Sequence, residues 1–369
     1  MTYRVAVTER GAVVVGEPSL TAATILKRDR SPGAPPGGIV APPMLHVTNG
    51  DSTVPGIEAT GVGGDVIAWR DSLHEGPVPA GLDTAALRAV RAEFLAGRGW
   101  GDADAIEAEM RARDERLATA LERDELVVLW FEHDLYDQLQ LLQVLDAVDG
   151  AEGVEAILPD RFLGAMGVGE LDALWPERAP VRGDQLALAR FAWEAVRAPA
   201  PQGIEAILNT HTAALPHLGP ALRRLLEELP AVGDGLGRTE RQALEAVRDG
   251  ARRPHEVFLA AQRAEEAPFL GDTWMWVRLA ELGQGDARLI ETDGGAPLGS
   301  PPPLAGSDGF VGQRLALTDA GRSVLAGEAD RAALLPLDRW VCGIHVSGPA
   351  PSWRWDRATG RTVSASGGA

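Results

Sequence analysis

The stretch Leu126-Val127-Val128-Leu129-Trp130-Phe131 is an uninterrupted apolar run, and Glu132-His133-Asp134 follows it directly. Such a run is typical of a strand that is buried on both faces, as in the interior of a parallel sheet. A helical apolar stripe comes next, formed by Leu135, Leu139, Leu142 and Leu145. A buried strand, a polar turn and an amphipathic helix in this order predict an α/β fold.

Working outward, three other short runs have the composition of strands, at residues 45–49, 65–69 and 154–158. Helical patterns lie between and after them, at about 83–122, 184–197 and 203–229. Alternation of strands and helices predicts a small doubly wound, Rossmann-like and mostly parallel sheet. We therefore expect an α/β domain over residues 44–232, with the segment at 83–122 as a helical insert.

A second domain is predicted after the glycine-rich stretch at 233–237. Helices are expected to begin near Thr239, Pro254 and Thr273, with Thr239 and Gln242 as a capping box. Two strands, at 287–291 and 314–317, and a helix capped by Thr318 follow. This order predicts a winged-helix-like domain over 238–357. Its tail is expected to pack back on the same domain through Trp340, Trp353 and Trp355, and residues 358–369 are expected to be disordered.

Residues 1–43 differ in composition from the rest of the chain. They contain Lys27, the sole lysine, and end in a proline- and glycine-rich run from Pro32 to Pro43. Such a run does not pack as a helix or a central strand. We expect a disordered extension or a mis-assigned start, with Met44 as the working start. The alternative is a β-hairpin around Arg10-Gly11 that docks on the body.

Composition excludes several classes of protein. No run of 18 apolar residues exists, so no membrane span is expected. A formal net charge of −18 disfavours nucleic acid as a partner. One cysteine rules out an intrachain disulfide and fits a cytoplasmic location. With a single lysine outside any P-loop motif, neither a pyridoxal phosphate site nor a P-loop nucleotide site is expected. The oligomeric state is left open.

Polar clusters follow three of the four predicted strands, and each is written here in chain order. They are Asn49-Gly50-Asp51-Ser52, then Arg70-Asp71 with His74-Glu75, then Glu132-His133-Asp134. The carboxyl ends of parallel strands lie at one edge of a sheet, where ligands bind in α/β proteins. The three clusters are therefore predicted to meet in one crevice, provided that the strand at 65–69 is parallel to its neighbours.

An enzymatic hypothesis assigns a role to each of these residues. The catalytic candidates are Asp51, Asp71, His74, His133 and Asp134. The ligand-binding candidates are Asn49, Gly50, Ser52, Arg70 and Glu75. Arg70 would clamp an anion, Asp51 and Asp71 would hold a divalent cation or act as a base, and His133 or His74 would move the proton. The hypothesis is a hydrolase or transferase that acts on a small anionic, phosphate- or carboxylate-bearing ligand.

Simpler interpretations stay open for the same residues. Asp51 or Ser52, and also Asp134, are typical helix caps. Arg70 and Asp71 could form a plain salt bridge, Glu132 could be a solvated strand end, and His46 is expected to be a core histidine. At the level of the whole chain, the alternative function is a non-enzymatic, ligand-sensing regulator whose winged-helix-like domain binds protein or DNA.

The same motifs carry a resemblance to a known family. Residues 45–79, with Asn49-Gly50-Asp51-Ser52 and the nine residues from Trp69 to Pro77, resemble the bacterial family called domain of unknown function 1835. The nine residues from Trp130 to Gln138 resemble it too, and the similarity extends through 238–242 and 269–272. It covers most of residues 44–357. The resemblance implies no established activity.

Overall fold

The computed structural model describes residues 2–8, 11–17, 43–302 and 307–364. Its first two strands, β1 (Thr2–Thr8) and β2 (Gly11–Glu17), pair antiparallel with Thr8 opposite Gly11. This is the hairpin that the alternative interpretation of residues 1–43 expected around Arg10-Gly11. Residues 18–42 lie outside the described part, and a start at Met44 stays a prediction.

The central sheet has five strands, in the spatial order β4-β3-β5-β6-β7. They are β3 (Met44–Thr48), β4 (Asp65–Ala68), β5 (Leu126–Trp130), β6 (Val154–Ile157) and β7 (Ala179–Pro180). The first four are parallel, and β7 pairs antiparallel with β6. Val47 of β3 lies opposite Ile67 on one side and Leu129 on the other. The parallel direction of β4, on which the shared crevice depended, is confirmed.

Helices connect these strands and follow them. They are α1 (Val54–Thr60), α2 (Thr84–Gly97), α3 (Ala103–Glu122), α4 (Leu135–Ala147), α5 (Val168–Leu174), α6 (Gly183–Arg197), α7 (Gln202–Leu208) and α8 (Leu218–Leu226), with short 3-10 turns at Leu163–Ala165 and Trp175–Glu177. The pair α2 and α3 forms the predicted insert between β4 and β5.

Both faces of the sheet are covered, as the apolar run in β5 predicted. Val127 and Leu129 point to one face, where they join a core with Leu142 of α4. Val128 and Trp130 point to the other face and pack with α1 and α5. Because side chains alternate along a strand, an unbroken apolar run is the pattern that such two-sided burial requires.

A helical unit follows, and its elements come in the predicted order. They are α9 (Arg238–Arg248), α10 (Pro254–Ala264), α11 (Asp272–Leu282), β8 (Ile290–Thr292), α12 (Ser307–Val311), β9 (Leu315–Leu317), α13 (Asp319–Leu325) and α14 (Arg331–Leu334). Strands β8 and β9 pair antiparallel. Within the described ranges, no helix combines the length and the apolar character that crossing a membrane requires.

The caps of this unit agree with the sequence in one place and differ in another. Thr318 caps α13 by accepting a hydrogen bond from the Gly321 amide at 3.0 Å, as predicted. At α9 the capping carboxylate belongs to Glu240, which accepts from the Gly237 amide at 3.0 Å. The predicted capping box of Thr239 is wrong because its hydroxyl donates to the buried Glu228 instead.

The tail forms two hairpins from β10 (Leu337–Val341), β11 (Ile344–Gly348), β12 (Trp353–Asp356) and β13 (Arg361–Ser364). Its apolar side chains, Trp355 among them, belong to the core under the central sheet, and Trp353 packs against that core. Trp340 stacks on His345. The apolar side chains of the tail thus pack mainly on the α/β unit, residues 44–232, while Arg339 and Arg354 pair with Glu240 and Asp330 of the helical unit. Strand β13 lies inside the segment that was expected to be disordered, and residues 365–369 lie outside the described part.

The α/β unit and the helical unit share contacts that are deeply buried. Leu95 of α2 and Met110 of α3 belong to the core of α9, α10 and α11. Glu75, after β4, forms a buried ion pair with Arg278 of α11 at 2.5 Å. The insert and this ion pair hold the helical unit against the carboxyl edge of the sheet.

We predict that Arg278→Ala destabilises the protein by about 3–5 kcal/mol, because Glu75 would be left charged, buried and without its partner. Urea unfolding followed by circular dichroism measures the change. The matched control is Arg248→Ala, since Arg248 forms an exposed pair with Asp249, and such pairs contribute little. Equal effects of the two substitutions would show that the buried pair does not hold the units together.

Candidate functional site

A pocket opens at the carboxyl ends of β3 and β5, with a volume of about 680 Å³ including its mouth. The chain leaves β3 towards β4 on one side and leaves β5 towards β6 on the opposite side. Such a switch point between neighbouring parallel strands is where open α/β sheets bind ligands. The α/β unit contributes Asn49, Gly50, Ser52, Ser72, His74, Glu132, Asp134, Tyr136, Asp137, Phe162 and Gly164 to the lining. The helical unit contributes Gln262, Trp274 and the segment 268–271.

Three carboxyl groups meet in this pocket, and we call Glu132, Asp134 and Asp137 the carboxyl cluster. One oxygen of each lies within 4.8 Å of the others, and all three side chains are buried. Asn49, at the end of β3, donates to Glu132 Oε1 at 3.0 Å and to Asp137 Oδ2 at 2.7 Å. The Leu163 amide donates to the second oxygen of Glu132. The cluster is therefore held between two strand ends by neutral donors.

Local structure explains the positions of the two aspartates. Asp134 is the N-cap of α4, and its Oδ1 accepts from the Asp137 amide at 3.0 Å. Asp137 lies in the first turn of that helix and accepts from the Glu132 amide at 2.8 Å. A carboxylate at a helix N-terminus satisfies free amides and interacts favourably with the helix dipole. The turn between β5 and α4 thus places all three groups together.

The environment disfavours the charged form of the cluster. Burial raises the pKa of Asp137 to about 7, against the hydrogen bonds from Glu132 and Asn49. Burial, together with the negative charge of neighbouring carboxylates, raises the pKa of Glu132 and of Asp134 well above the ordinary range. Desolvation and like charges both act in this direction. At neutral pH the binding of a proton or of a cation to the cluster is therefore favourable.

His74 lines the same pocket and has an unusual environment. Its side chain is 6% exposed, and neither ring nitrogen has a hydrogen-bond partner among the described residues. Aromatic rings surround it, with centroids at 5.8 Å for Tyr136, 5.2 Å for Phe269 and 6.4 Å for Trp274. Burial, followed by the positive charges of Arg278 and Arg91, lowers the pKa of His74 to about 3. The ring is neutral and offers one donor and one acceptor.

The helical unit supplies an ordered aromatic wall. Trp274 of α11 donates from Nε1 to Ser72 Oγ at 3.1 Å. Its ring stacks on Phe94 of α2, with an interplanar angle of 5°. Phe269, in the connection between α10 and α11, completes the wall beside His74. Sequence reasoning did not place this wall at the site.

Five of the predicted site residues do line the pocket, namely Asn49, Gly50, Ser52, His74 and Asp134. Asp134 fulfils both of its interpretations, since it caps α4 and also belongs to the carboxyl cluster. These residues follow β3, β4 and β5, so the three predicted strand ends do contribute to one pocket.

Asp51 and Arg70 lie in a different groove, between β4 and α3. Arg70 Nε and Nη2 both donate to Asp51 Oδ1, at 2.8 and 2.5 Å. The backbone of Arg70 is in the left-handed region, with a φ of 50°, which is uncommon for a residue other than glycine. In this arrangement Arg70 is not available to clamp an anion in the pocket. The salt-bridge interpretation was right about Arg70 and wrong about its partner.

Asp71 and Glu75 are committed to buried ion pairs. Asp71 Oδ1 accepts from Arg91 Nε at 3.0 Å and Nη2 at 2.8 Å, and Glu75 pairs with Arg278. A buried carboxylate whose charge is matched by arginine is a structural element, and neither residue lines the pocket. The predicted roles of Asp71 as base or cation ligand and of Glu75 as ligand contact have no support in this geometry.

His133 faces a neighbouring pocket that also contains Arg223 and Arg238. It is half-buried, and its ring centroid is 5.0 Å from Phe162 and 6.0 Å from His217. Burial and the charge of His217 lower its pKa. Its neighbours Glu132 and Asp134 lie in the main pocket because successive side chains of an extended segment point to opposite sides.

Sequence reasoning gave no site role to two members of the cluster, and it placed one other histidine correctly. Glu132 was considered a solvated strand end, but it is 5% exposed. Asp137 was not among the candidates. The signal that could have found both is three acids at positions i, i+2 and i+5 after a buried strand. His46 is the predicted core histidine, since it accepts from Trp130 Nε1 at 3.0 Å and its Nε2 lies 2.8 Å from the Gly63 carbonyl oxygen.

No protein-family model matches the chain, and no curated protein matches it in sequence. The resemblance to domain of unknown function 1835 therefore stays a prediction. The geometry of the pocket is the basis for a functional proposal.

We predict that His74→Phe reduces the loss of stability on acidification. The unfolded chain binds a proton at an ordinary histidine pKa of about 6.5, whereas the folded chain does so only near pH 3. The contribution of neutral His74 to the free energy of unfolding is therefore fully present above about pH 6.5, and it decreases as the pH falls towards 3. Through His74 alone, the free energy of unfolding is about 2 kcal/mol lower at pH 5 than at pH 7.5.

Urea unfolding at pH 7.5 and pH 5 measures this effect as the difference between wild type and variant. The matched control is His211→Phe, at an exposed histidine, which should keep the pH dependence of the wild type. The assignment of a neutral, buried His74 is wrong if both variants keep the same pH dependence.

Proposed function

We propose that the chain is an enzyme, a hydrolase or transferase, that processes a small molecule in the pocket at the ends of β3 and β5. The observation that supports this most directly is the pairing of a buried, hydrogen-bond-free His74 with the carboxyl cluster in one pocket. Buried polar groups are satisfied in nearly all native structures, and exceptions are typical of functional sites. The strand order also supports a doubly wound, Rossmann-like arrangement, whose switch point is the usual ligand site.

The pKa values assign different tasks to the two kinds of group. A general acid or base works best when its pKa lies near the operating pH, which fits the carboxyl cluster, with Asp137 at about 7. His74, with a pKa of about 3, is a weak base at neutral pH. We assign proton transfer and activation of the nucleophile to the cluster, and orientation of the ligand by hydrogen bonding to His74.

The lining also limits the ligand. Phe269 and Trp274 offer a flat apolar surface to a ring or another apolar part of the ligand. Asn49 and Ser52 offer hydrogen bonds. No arginine lines this pocket among the described residues, so an anionic ligand would enter only where the negative charge of the cluster is neutralised.

Metabolite consumption tests the proposal. The full chain is incubated with a small-molecule cell extract, and mass spectrometry follows which compounds disappear and which appear. We expect the wild type to convert at least one compound, and Asp134→Asn and His74→Phe to slow that conversion by about 100-fold or more. Asn keeps the cap at position 134, so the Asp134 variant is expected to fold.

The matched control for this experiment is Asp83→Asn, which makes the same substitution at the exposed cap of α2, where Asp83 accepts from the Ala86 amide at 2.8 Å. It should retain the wild-type rate. Conversion that all variants perform equally would place the chemistry elsewhere, and a lack of any conversion would contradict the enzymatic proposal.

One observation favours the regulator as a second candidate. The pocket is built from both units, since Gln262, Phe269 and Trp274 belong to the helical unit. A bound ligand would therefore contact α11 directly and could change what the helical unit presents to a partner. The same extract distinguishes the candidates, because a regulator would retain a compound through dialysis and release it chemically unchanged.

Within either candidate, we infer that the winged-helix-like unit does not read DNA. A recognition helix that reads DNA needs exposed cations. Helix α11 has the position of the recognition helix in this unit, and it is buried over most of its surface. Its single arginine, Arg278, is 4% exposed and is paired with Glu75 and Glu281.

We therefore predict that the full chain does not bind mixed-sequence duplex DNA at low salt. Fluorescence anisotropy with a labelled duplex measures the affinity, and a DNA-binding winged-helix protein serves as the positive control. Micromolar or tighter binding with a steep salt dependence would contradict the inference and favour a DNA-binding regulator.

A further inference from the structure

We propose that the carboxyl cluster of Glu132, Asp134 and Asp137 binds one hard divalent cation of the Mg²⁺, Mn²⁺ or Ca²⁺ class. The inference rests on the proposed function, because the cation would serve the same pocket and the same reaction. It goes further by naming the group that the cluster holds and the residues that hold it, and with the cation bound the cluster holds the ion and does not itself transfer the proton. The sequence had assigned a cation to Asp51 and Asp71, which the structure places in ion pairs with Arg70 and Arg91.

The geometry of the cluster fits one ion. Oxygens bound to a single cation at about 2.1–2.4 Å lie no more than about 4.2–4.8 Å apart. One carboxylate oxygen from each member of the cluster lies within 4.8 Å of the others. All three ligand atoms are oxygens, which favours hard cations over zinc or copper. The unfilled coordination positions would take water and ligand oxygens from the open side of the pocket.

The charge pattern of the interior singles out this cluster. Six other buried carboxylates each form an ion pair with an arginine, and these are Asp71, Glu75, Glu125, Glu228, Asp234 and Glu240. Within the described ranges, the hydrogen bonds to the cluster come from the Asn49 amide and from backbone amides. At these six positions buried negative charge is matched by arginine, whereas no arginine among the described residues forms an ion pair with the three carboxyl groups of the cluster.

An independent observation points to a ligand in the same space. His74 is more than nine-tenths buried and lines the pocket together with the cluster, and in the described part of the chain neither of its ring nitrogens has a hydrogen-bond partner. An unsatisfied buried imidazole is costly unless a ligand or an ordered water completes it. A cation with its bound water, or with the ligand that the cation holds, would supply that partner.

The cation would also change which ligands the pocket accepts. Three buried carboxylates repel an anion, and Arg70 is committed to Asp51 in another groove. A divalent ion on the cluster would attract phosphate or carboxylate oxygens and would lower the pKa of a bound water, which makes that water easier to deprotonate. The anionic ligand expected from the sequence is thus compatible with this pocket through the cation.

Direct titration with Mn²⁺ tests the proposal. Electron paramagnetic resonance of the free ion, at pH 7.5 and with the full chain, counts the bound Mn²⁺, and Mg²⁺ or Ca²⁺ is then added as a competitor. We expect one saturable site per chain. Asp134→Asn should weaken Mn²⁺ binding by about tenfold or more, and Asp83→Asn, the matched cap substitution, should leave it unchanged.

Thermal melting in EDTA establishes that each variant is folded, and Glu132→Gln replaces Asp134→Asn if the latter does not fold. The proposal is overturned if the folded wild type has no saturable Mn²⁺ site, or if the folded cluster variant binds Mn²⁺ as the wild type does. Metabolite conversion that persists in EDTA would contradict the cation proposal but not the enzymatic proposal. Mn²⁺ binding without any metabolite conversion would support the cation proposal and contradict the enzymatic proposal.

Discussion

Asn49 donates to Glu132 and to Asp137, and these two hydrogen bonds join the carboxyl ends of the two central strands. They require β3 and β5 to be parallel neighbours, since only then do both strand ends lie at one edge. Helix α4 extends the same connection, because Gln138 donates to the Glu132 carbonyl and Gln140 donates to the Asp71 carbonyl. The side-chain amides at the start of this helix therefore donate to the strand ends and the segments that follow them, and the pocket takes its shape from that network.

Among the described residues six arginines are buried, and the positive charges of two of them, Arg278 and Arg91, act on His74 in the pocket. Arg91, Arg224, Arg278 and Arg331 each have a buried carboxylate partner. Buried ion pairs add little net stability compared with apolar packing, but breaking one is costly, so they strongly favour a single arrangement. With these four arginines paired elsewhere, no arginine among the described residues lines the pocket that contains the carboxyl cluster.

The sequence predicted what depends on local pattern and missed what depends on distant partners. The apolar run of β5 predicted two-sided burial, and the short crossover through α1 allowed a parallel β4. The partners of the polar residues were not readable, because Arg91 lies 20 residues from Asp71 and Arg278 lies 203 residues from Glu75. Burial of Glu132 depends on Asn49, 83 residues away. Residue type and strand-end position therefore identified the right edge of the sheet, whereas tertiary pairing decided which side chains face the pocket.

The α/β unit and the helical unit both contribute residues to the site. The carboxyl cluster belongs to the first unit, while Phe269 and Trp274 of the second unit form the wall that surrounds His74. Trp274 is fixed by Ser72 and Phe94, and α11 is fixed by Glu75. All three of these partners precede β5 in the chain. The segment from β4 through α2 therefore positions the helical unit, and the environment that keeps His74 neutral exists only when both units are in place.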